Sequence, residues 1–410
     1  LGWRISNESF MENTKEWLNN LKLRASYGQV GNDVYTVGGV AQRFLYEEKW
    51  SQISNDYMFG TSGKSGIYET QYPNYGVTWE RAHKYNVGLE FGLWNGLLNG
   101  NIDLFHEKRN DILTNYLTRP EWVGVTMAAG NLGETVNSGF EIELKHNNHI
   151  GKEFQYNVGL TFSHAKNEIK NMDEPALKTD YRKREGHPIG QYYGLVCDGF
   201  VTAADVADPN FPTSTFGNVQ VGDLKYRDMN NDGFIDERDE TFIGYSDVPE
   251  NTYALTLGCN YKGIGFSVMF QGVDHVSRYY DAEAMYAFVS GGKVKEHHLD
   301  RWNPTKSESE NLASAKYPLL HYDSYGDHNQ RQNSFFLKNG AFMRLKNIEL
   351  SYTLPTKWIE KVGMSDCRLY VNGNNLITWD HLDDLCDPES NGSNRYPIMK
   401  TVNFGVNIKF

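Results

Sequence analysis

Four cysteines in 410 residues, Cys197, Cys259, Cys367 and Cys386, stand far apart with no C-x-x-C pair, which argues against a zinc knuckle or a thioredoxin-like redox site. No stretch approaches the roughly 18 consecutive apolar residues of a membrane helix, and the mean hydropathy is −0.60. A helical membrane protein is excluded. A β-barrel is not, because its strands give half their residues to a wet inner wall. Basic runs are also lacking: Lys and Arg number 40 against 52 Asp and Glu, the formal net charge is −12 and the densest basic run is Arg182-Lys183-Arg184, so nucleic acid is not expected as a partner. The chain opens Leu1-Gly2-Trp3 without a start methionine or a signal segment, as a mature or excised chain would.

What the sequence has in abundance is alternation. Val402, Phe404, Val406, Ile408 and Phe410 alternate with Asn403, Gly405, Asn407 and Lys409. Tyr85 to Leu93, Phe140 to Leu144, Phe154 to Phe162, Tyr253 to Tyr261, Ile264 to Phe270 and Ile348 to Leu354 repeat the rule. Such period-2 patterning describes strands with one oily and one polar face. A soluble sandwich would show it too, but the aromatic content of the oily faces favours a barrel whose outside meets lipid. Strands are predicted at 21–29, 83–93, 98–108, 138–147, 153–163, 253–262, 264–273, 342–354, 367–377 and 401–410.

The connections sort by length. Asn95-Gly96, 146–152, Lys262-Gly263 and 355–366 are short, whereas 30–82, 109–137, 164–252, 274–341 and 378–400 are long. Antiparallel order puts all the long ones on one side, the habit of outer-membrane barrels with short periplasmic turns and long extracellular loops. Helical turns are expected at 12–21 and 355–362. Loop 274–341 carries Tyr279, Tyr280, Tyr286, Phe288, Trp302, Tyr317, Tyr322 and Tyr325, which suit either a small core or a stacking platform. If a platform, Tyr279, Tyr280, Tyr286 and Trp302 are the candidate substrate contacts.

Within loop 164–252, residues 228–239 follow the D-x-[DN]-x-[DN]-G pattern of a calcium loop. Asp228, Asn230 and Asp232 place oxygens at positions 1, 3 and 5, Gly233 permits the turn, Phe234 offers its carbonyl, and Asp236 and Asp239 stand at positions 9 and 12. A structural Ca²⁺ or Mg²⁺ is expected, the Asp at position 12 reaching less far than Glu. The acidic group Asp380, Asp383, Asp384, Asp387 and Glu389 lacks ligand spacing and reads as a solvated loop, and His297-His298 as a surface pair.

Several blocks then converge on one family. Residues 18–28 (LNNLKLRASYG), 137–144 (NSGFEIEL), 222–228 (GDLKYRD) leading into the cation loop, 342–348 (FMRLKNI) and 372–376 (NGNNL) resemble the SusC/RagA family of TonB-dependent outer-membrane transporters. The resemblance spans essentially all 410 residues and implies the C-terminal portion of an antiparallel transmembrane β-barrel of about 22 strands. It further implies import of oligosaccharides or peptides, a SusD-like surface lipoprotein as partner, contact with outer-membrane lipid, and energy from TonB through an N-terminal region with its plug. Departing from that pattern, these 410 residues include no plug or TonB box, and ten strands would leave two unpaired edges in lipid, so a fragment of a longer polypeptide or half of a barrel completed by another chain is expected.

Competing readings are a passive porin or adhesion barrel and a secreted calcium-binding hydrolase or lectin. Glycoside hydrolysis needs two carboxylates flanking one bond, whereas Glu141 and Glu143 share a strand face and Glu90 suits a barrel wall, so no enzyme is expected. At the C-terminus, Gly405, Ile408 and Phe410 are assigned to barrel assembly: Phe410 to the lipid-side aromatic girdle, Gly405 to close packing on the inner face.

Overall fold

A computed structural model describes residues 1–118, 121–175, 179–280, 285–289, 293–322, 328–382, 386–390 and 396–410, without the side chains of 55–57, 121 and 362. One antiparallel sheet holds eleven strands in chain order. They are β1 (Gly2–Arg4), β2 (Leu18–Asn32), β3 (Glu80–Leu93), β4 (Leu98–Thr114), β5 (Gly130–Ile150), β6 (Phe154–Asn171), β7 (Asn251–Tyr261), β8 (Ile264–Asp274), β9 (Phe342–Thr353), β10 (Asp366–Trp379) and β11 (Thr401–Lys409). All ten expected strands are present; β1 is the addition, pairing Gly2 with Arg24 and Arg4 with Lys22. No helix among the described residues is long and apolar enough to cross a membrane.

The chain divides into two compact units. The first comprises Leu1–Leu93, Gly100–Glu141 and Ala165–Ile189; the second comprises Trp94–Asn99, Ile142–His164 and Gly190–Phe410. Within the second, Tyr261 faces Ile264 across a two-residue hairpin loop. Both loop residues take left-handed backbone, Lys262 at φ 49° and Gly263 at φ 86°. A type I′ turn demands that pair of angles because its twist matches that of the strands.

β4, β5 and β6 have 17, 21 and 18 residues, well beyond the roughly 9–11 that cross a bilayer. The extra residues lie at the long-loop end, where Lys108 pairs with Glu134 at 2.8 Å. Polar residues there occupy both faces, so the alternation that marks the oily band fades before the hydrogen-bonded ladder does. The same loss of contrast concealed the loop strands Lys49–Phe59 and Ser62–Tyr72, a hairpin inside loop 30–82. The turn expected at 12–21 lies earlier, as a 3₁₀ helix at Ser9–Thr14, because Leu18 already joins β2. The other expected turn is present at Thr356–Ile359 and Glu360–Val362, ending on Gly363 at φ 75°.

The two faces of the sheet differ as the alternation requires. Outward apolar side chains stay exposed: Leu23, Val87 and Leu104 in the first unit, and Leu350, Leu369, Val402, Phe404 and Val406 in the second. Each forgoes about 1.5–3 kcal/mol if left in water, and lipid removes that cost. On the opposite face of the first unit, Arg24 reaches Glu90 at 2.8 Å and Asp103 at 2.9 Å, while Arg109 joins Glu80 and Glu107. In the second unit amides take over: Asn347 donates to Asn374, Asn374 to Thr401 and Asn403 to Asn372.

Candidate functional site

The long loops of the second unit fold around a core of their own. Leu195, Leu224, Tyr226, Ile235, Tyr280 and Phe336 are among its buried members, and Leu382 of loop 378–400 is another. Short ladders pin the segments, 191–194 on 241–246 and 277–279 on 337–339. Several of its buried polar groups are satisfied inside it. Asp223 accepts from the amide of Asn329 and the backbone N–H of Gln220, and the Tyr226 hydroxyl donates to the His328 carbonyl at 2.8 Å.

This core takes in the four rings offered as a stacking platform. Tyr280 is 1 % exposed and its hydroxyl donates to the Leu382 carbonyl. Trp302, 3 % exposed, packs edge-on to Phe200 with its indole over Gly222. Tyr279 and Tyr286 bring their hydroxyls together at 3.4 Å, and Tyr286 meets Phe336 edge to face. Clustered large rings gain more by packing on one another than by standing in water, so of the two readings offered for loop 274–341 these four rings follow the core. Tyr325 lies outside the described residues.

Two further expectations change. His298 is fully buried, not a surface residue: its Nε2 bonds the Met285 carbonyl at 2.9 Å and its Nδ1 accepts from the Lys295 N–H. Burial holds its imidazole below the ordinary value. Asp387 and Glu389 are not merely solvated, since both pair with the buried Arg344, and Lys346 adds to Glu389. Asp380 caps the Leu382 N–H; Asp383 and Asp384 lie outside the described residues. Glu90, weighed as a catalytic carboxylate, is held by Lys22 and Arg24.

The loop 228–239 has the expected turn, with Gly233 at φ 83° and Ile235 buried as its anchor. Asp228 accepts the N–H groups of Asn231 and Gly233 at 2.6 and 2.8 Å. Asn230 Oδ1 accepts from the Asp232 N–H and Asp232 Oδ1 from the Phe234 N–H. Asp239, wholly buried, accepts from Met229 and Asp236 and so closes the loop. The Arg238 guanidinium spans Asp232 and Asp236 at 2.7 Å each. Among the described residues no three acidic, His or Cys side chains converge as a metal site. The all-oxygen donor set has the chemistry for a hard cation, and Arg238 holds two of those donors.

At the C-terminus the β11 ladder ends at the pair Asp366 and Lys409, and Phe410 follows it, exposed. Gly405 faces Tyr370 across the strands, and a Cβ there would overlap the Tyr370 ring. Ile408 lies opposite Cys367.

An antiparallel sheet oily on one side and polar on the other, with folded loops at one end, is an architecture shared with known proteins. The family described as "TonB dependent receptor-like, beta-barrel" matches residues 3–376. The chain belongs to that family. Its members are outer-membrane receptors and transporters rather than enzymes. Similar proteins include the TonB-dependent receptor P26 of Formosa agariphila, 26 % identical over all of this chain and 41 % of that protein, and TonB-dependent receptor SusC of Bacteroides thetaiotaomicron, 26 % identical over all of this chain and 39 % of SusC. The chain thus spans about two fifths of the length of the curated relatives it matches. Among solved structures, the RagAB peptide transporter superposes over the whole chain and 43 % of its own, at a TM-score of 0.69 and 21 % identity. The RagAB peptide importer in its open-open state gives 0.70 and 22 %. These relatives support the SusC/RagA resemblance of the sequence blocks and the reading as a portion of a larger TonB-dependent receptor barrel.

Proposed function

We propose that the protein containing this chain is an outer-membrane importer that takes up oligosaccharides or peptides, works with a SusD-like surface lipoprotein and draws energy from TonB. Membership of the TonB-dependent receptor barrel family carries this reading. SusC and RagAB, named as receptor and peptide importer, are its likenesses. In this reading the oily face sits in outer-membrane lipid, the charged and amide-lined face borders the path, and the folded loops meet substrate and lipoprotein. The decisive experiment deletes the gene in its own host and measures growth on oligosaccharide and on peptide mixtures, with and without active TonB. Loss of uptake in the deletion and in the TonB-inactive strain supports import; TonB-independent uptake identifies a passive porin. Affinity purification of the intact protein tests for the lipoprotein.

The loop 228–239 would hold Ca²⁺ or Mg²⁺ through Asp228, Asn230, Asp232, the Phe234 carbonyl and Asp236, with Asp239 direct or through water. A divalent ion there has to compete with Arg238 for Asp232 and Asp236. The ion would stiffen the loop that anchors Ile235 in the loop core.

A further inference from the structure

With Tyr279, Tyr280, Tyr286 and Trp302 taken into a core, the first unit offers a separate aromatic surface. A cleft of about 490 Å³ lies among 33–35, 41–46, 77–79 and Leu113, a size within the range of small-ligand pockets. Its floor is apolar: Leu45 is buried, with Tyr35, Val77 and Leu113 packed against it. Its walls are flat rings left in solvent. Trp79 is 62 % exposed and has Gly31 behind its six-membered ring. Phe44 and Tyr46 flank Leu45, are both exposed, and meet edge to face at 6.2 Å.

The rings are held in place. Leu45 turns inward and its carbonyl accepts from Asn74 at 2.8 Å, while the Phe44 carbonyl accepts from Glu47 at 2.9 Å. Thr78, beside Trp79, is bonded through both its N–H and its carbonyl to the Asn131 side chain. Phe44 takes left-handed backbone at φ 56°, a strained conformation for a residue with a Cβ. Its phenyl ring is left in solvent rather than in the core. Asp33 and Arg43 on the rim cancel in charge, and Gln42 and Thr78 add neutral donors and acceptors.

We infer that this cleft is a sugar subsite, in which the apolar C–H face of a neutral pyranose stacks on Trp79 or Phe44 while Asp33, Gln42 and Arg43 bond its hydroxyls. Flat exposed rings above an apolar floor match the amphipathic face of a pyranose, and Gln42 and Thr78 beside Asp33 and Arg43 offer donors and acceptors suited to its ring of hydroxyls. This inference rests on the import reading and narrows its substrate to neutral glycans.

The experiment titrates the purified full-length protein in detergent with maltohexaose, cellohexaose and a Leu/Ser/Gly hexapeptide, following calorimetric heat and tryptophan fluorescence. At least one hexasaccharide binds the wild type, Trp79→Ala and Phe44→Ala weaken it tenfold or more, and Trp79→Phe retains most of it. Equal outer-membrane levels of all variants show that the barrel has assembled. The subsite is overturned if neither hexasaccharide binds, if the alanine variants bind as the wild type does, or if they lose the hexapeptide instead. Import is read separately, from uptake by cells with and without active TonB: TonB-independent uptake with intact Trp79-dependent binding overturns the transporter and leaves the subsite standing.

Discussion

The Tyr370 ring on β10 lies across Gly405 on β11, its direct cross-strand partner, so closely that a Cβ at 405 would overlap it. An aromatic ring covering a glycine in a neighbouring strand supplies the packing the glycine lacks and pins the register. A one-residue slip would remove this contact and also turn Val402, Phe404, Val406 and Ile408 to the wet face.

Gly405→Val should therefore lower the amount of inserted protein, and pairing it with Tyr370→Ala should restore part of the loss. Immunodetection of heat-modifiable barrel in outer-membrane fractions measures both. Deletion of Phe410 should also reduce the level, with normal uptake per surviving molecule. A normal level with lost uptake would move Phe410 from assembly to transport.

Arg344 is 1 % exposed and holds Asp387 at 2.7 Å and Glu389 at 2.9 Å, tying β9 to the loop that follows β10. Arg344→Ala strands two carboxylates, and removing one partner of a buried pair costs roughly 3–5 kcal/mol, less here because Glu389 is partly exposed. Early cleavage within 380–400 under limited proteolysis is the expected result. The triple change Arg344→Met, Asp387→Asn and Glu389→Gln should be milder than Arg344→Ala alone.

His298 ties pH to the loop core. Its folded-state pKa is lowered by burial, so its contribution is present above the unfolded value of about 6.5 and is lost as pH falls through the folded value. Protease sensitivity of loop 274–341 should rise between pH 7.5 and pH 5 in the wild type. In His298→Gln the rise should shrink, whatever its starting level.

Calcium at millimolar concentration should protect the loop around 228–239 from protease, and a chelator should reverse this. Asp232→Ala should abolish the difference. Arg238→Ala should increase apparent affinity, because the guanidinium competing for Asp232 and Asp236 is gone. Loop cleavage rates across a calcium titration read all three, and identical rates with calcium and with chelator in the wild type would end the cation assignment.

The sequence by itself determined the strands. Period-2 alternation is local, and it gave the oily faces of seven strands; ten of the eleven strands and the Lys262-Gly263 turn were legible in the chain, as was the oxygen spacing of 228–239 through its own short motif. Family membership was legible in short blocks such as 137–144 and 342–348. Tertiary structure decided what side chains in long loops do. Whether Trp302 or Tyr280 meets solvent depends on contacts with Gly222 and Leu382, far away along the chain. The pairing of Arg344 with Asp387 spans 43 positions, and Arg238 takes its place between Asp232 and Asp236 only once the loop is closed. Phe44 and Trp79 sit in segments with no periodicity, and only the folded loop brings them to one cleft. Strand faces follow from neighbours along the chain, whereas loop burial follows from partners that only folding brings near.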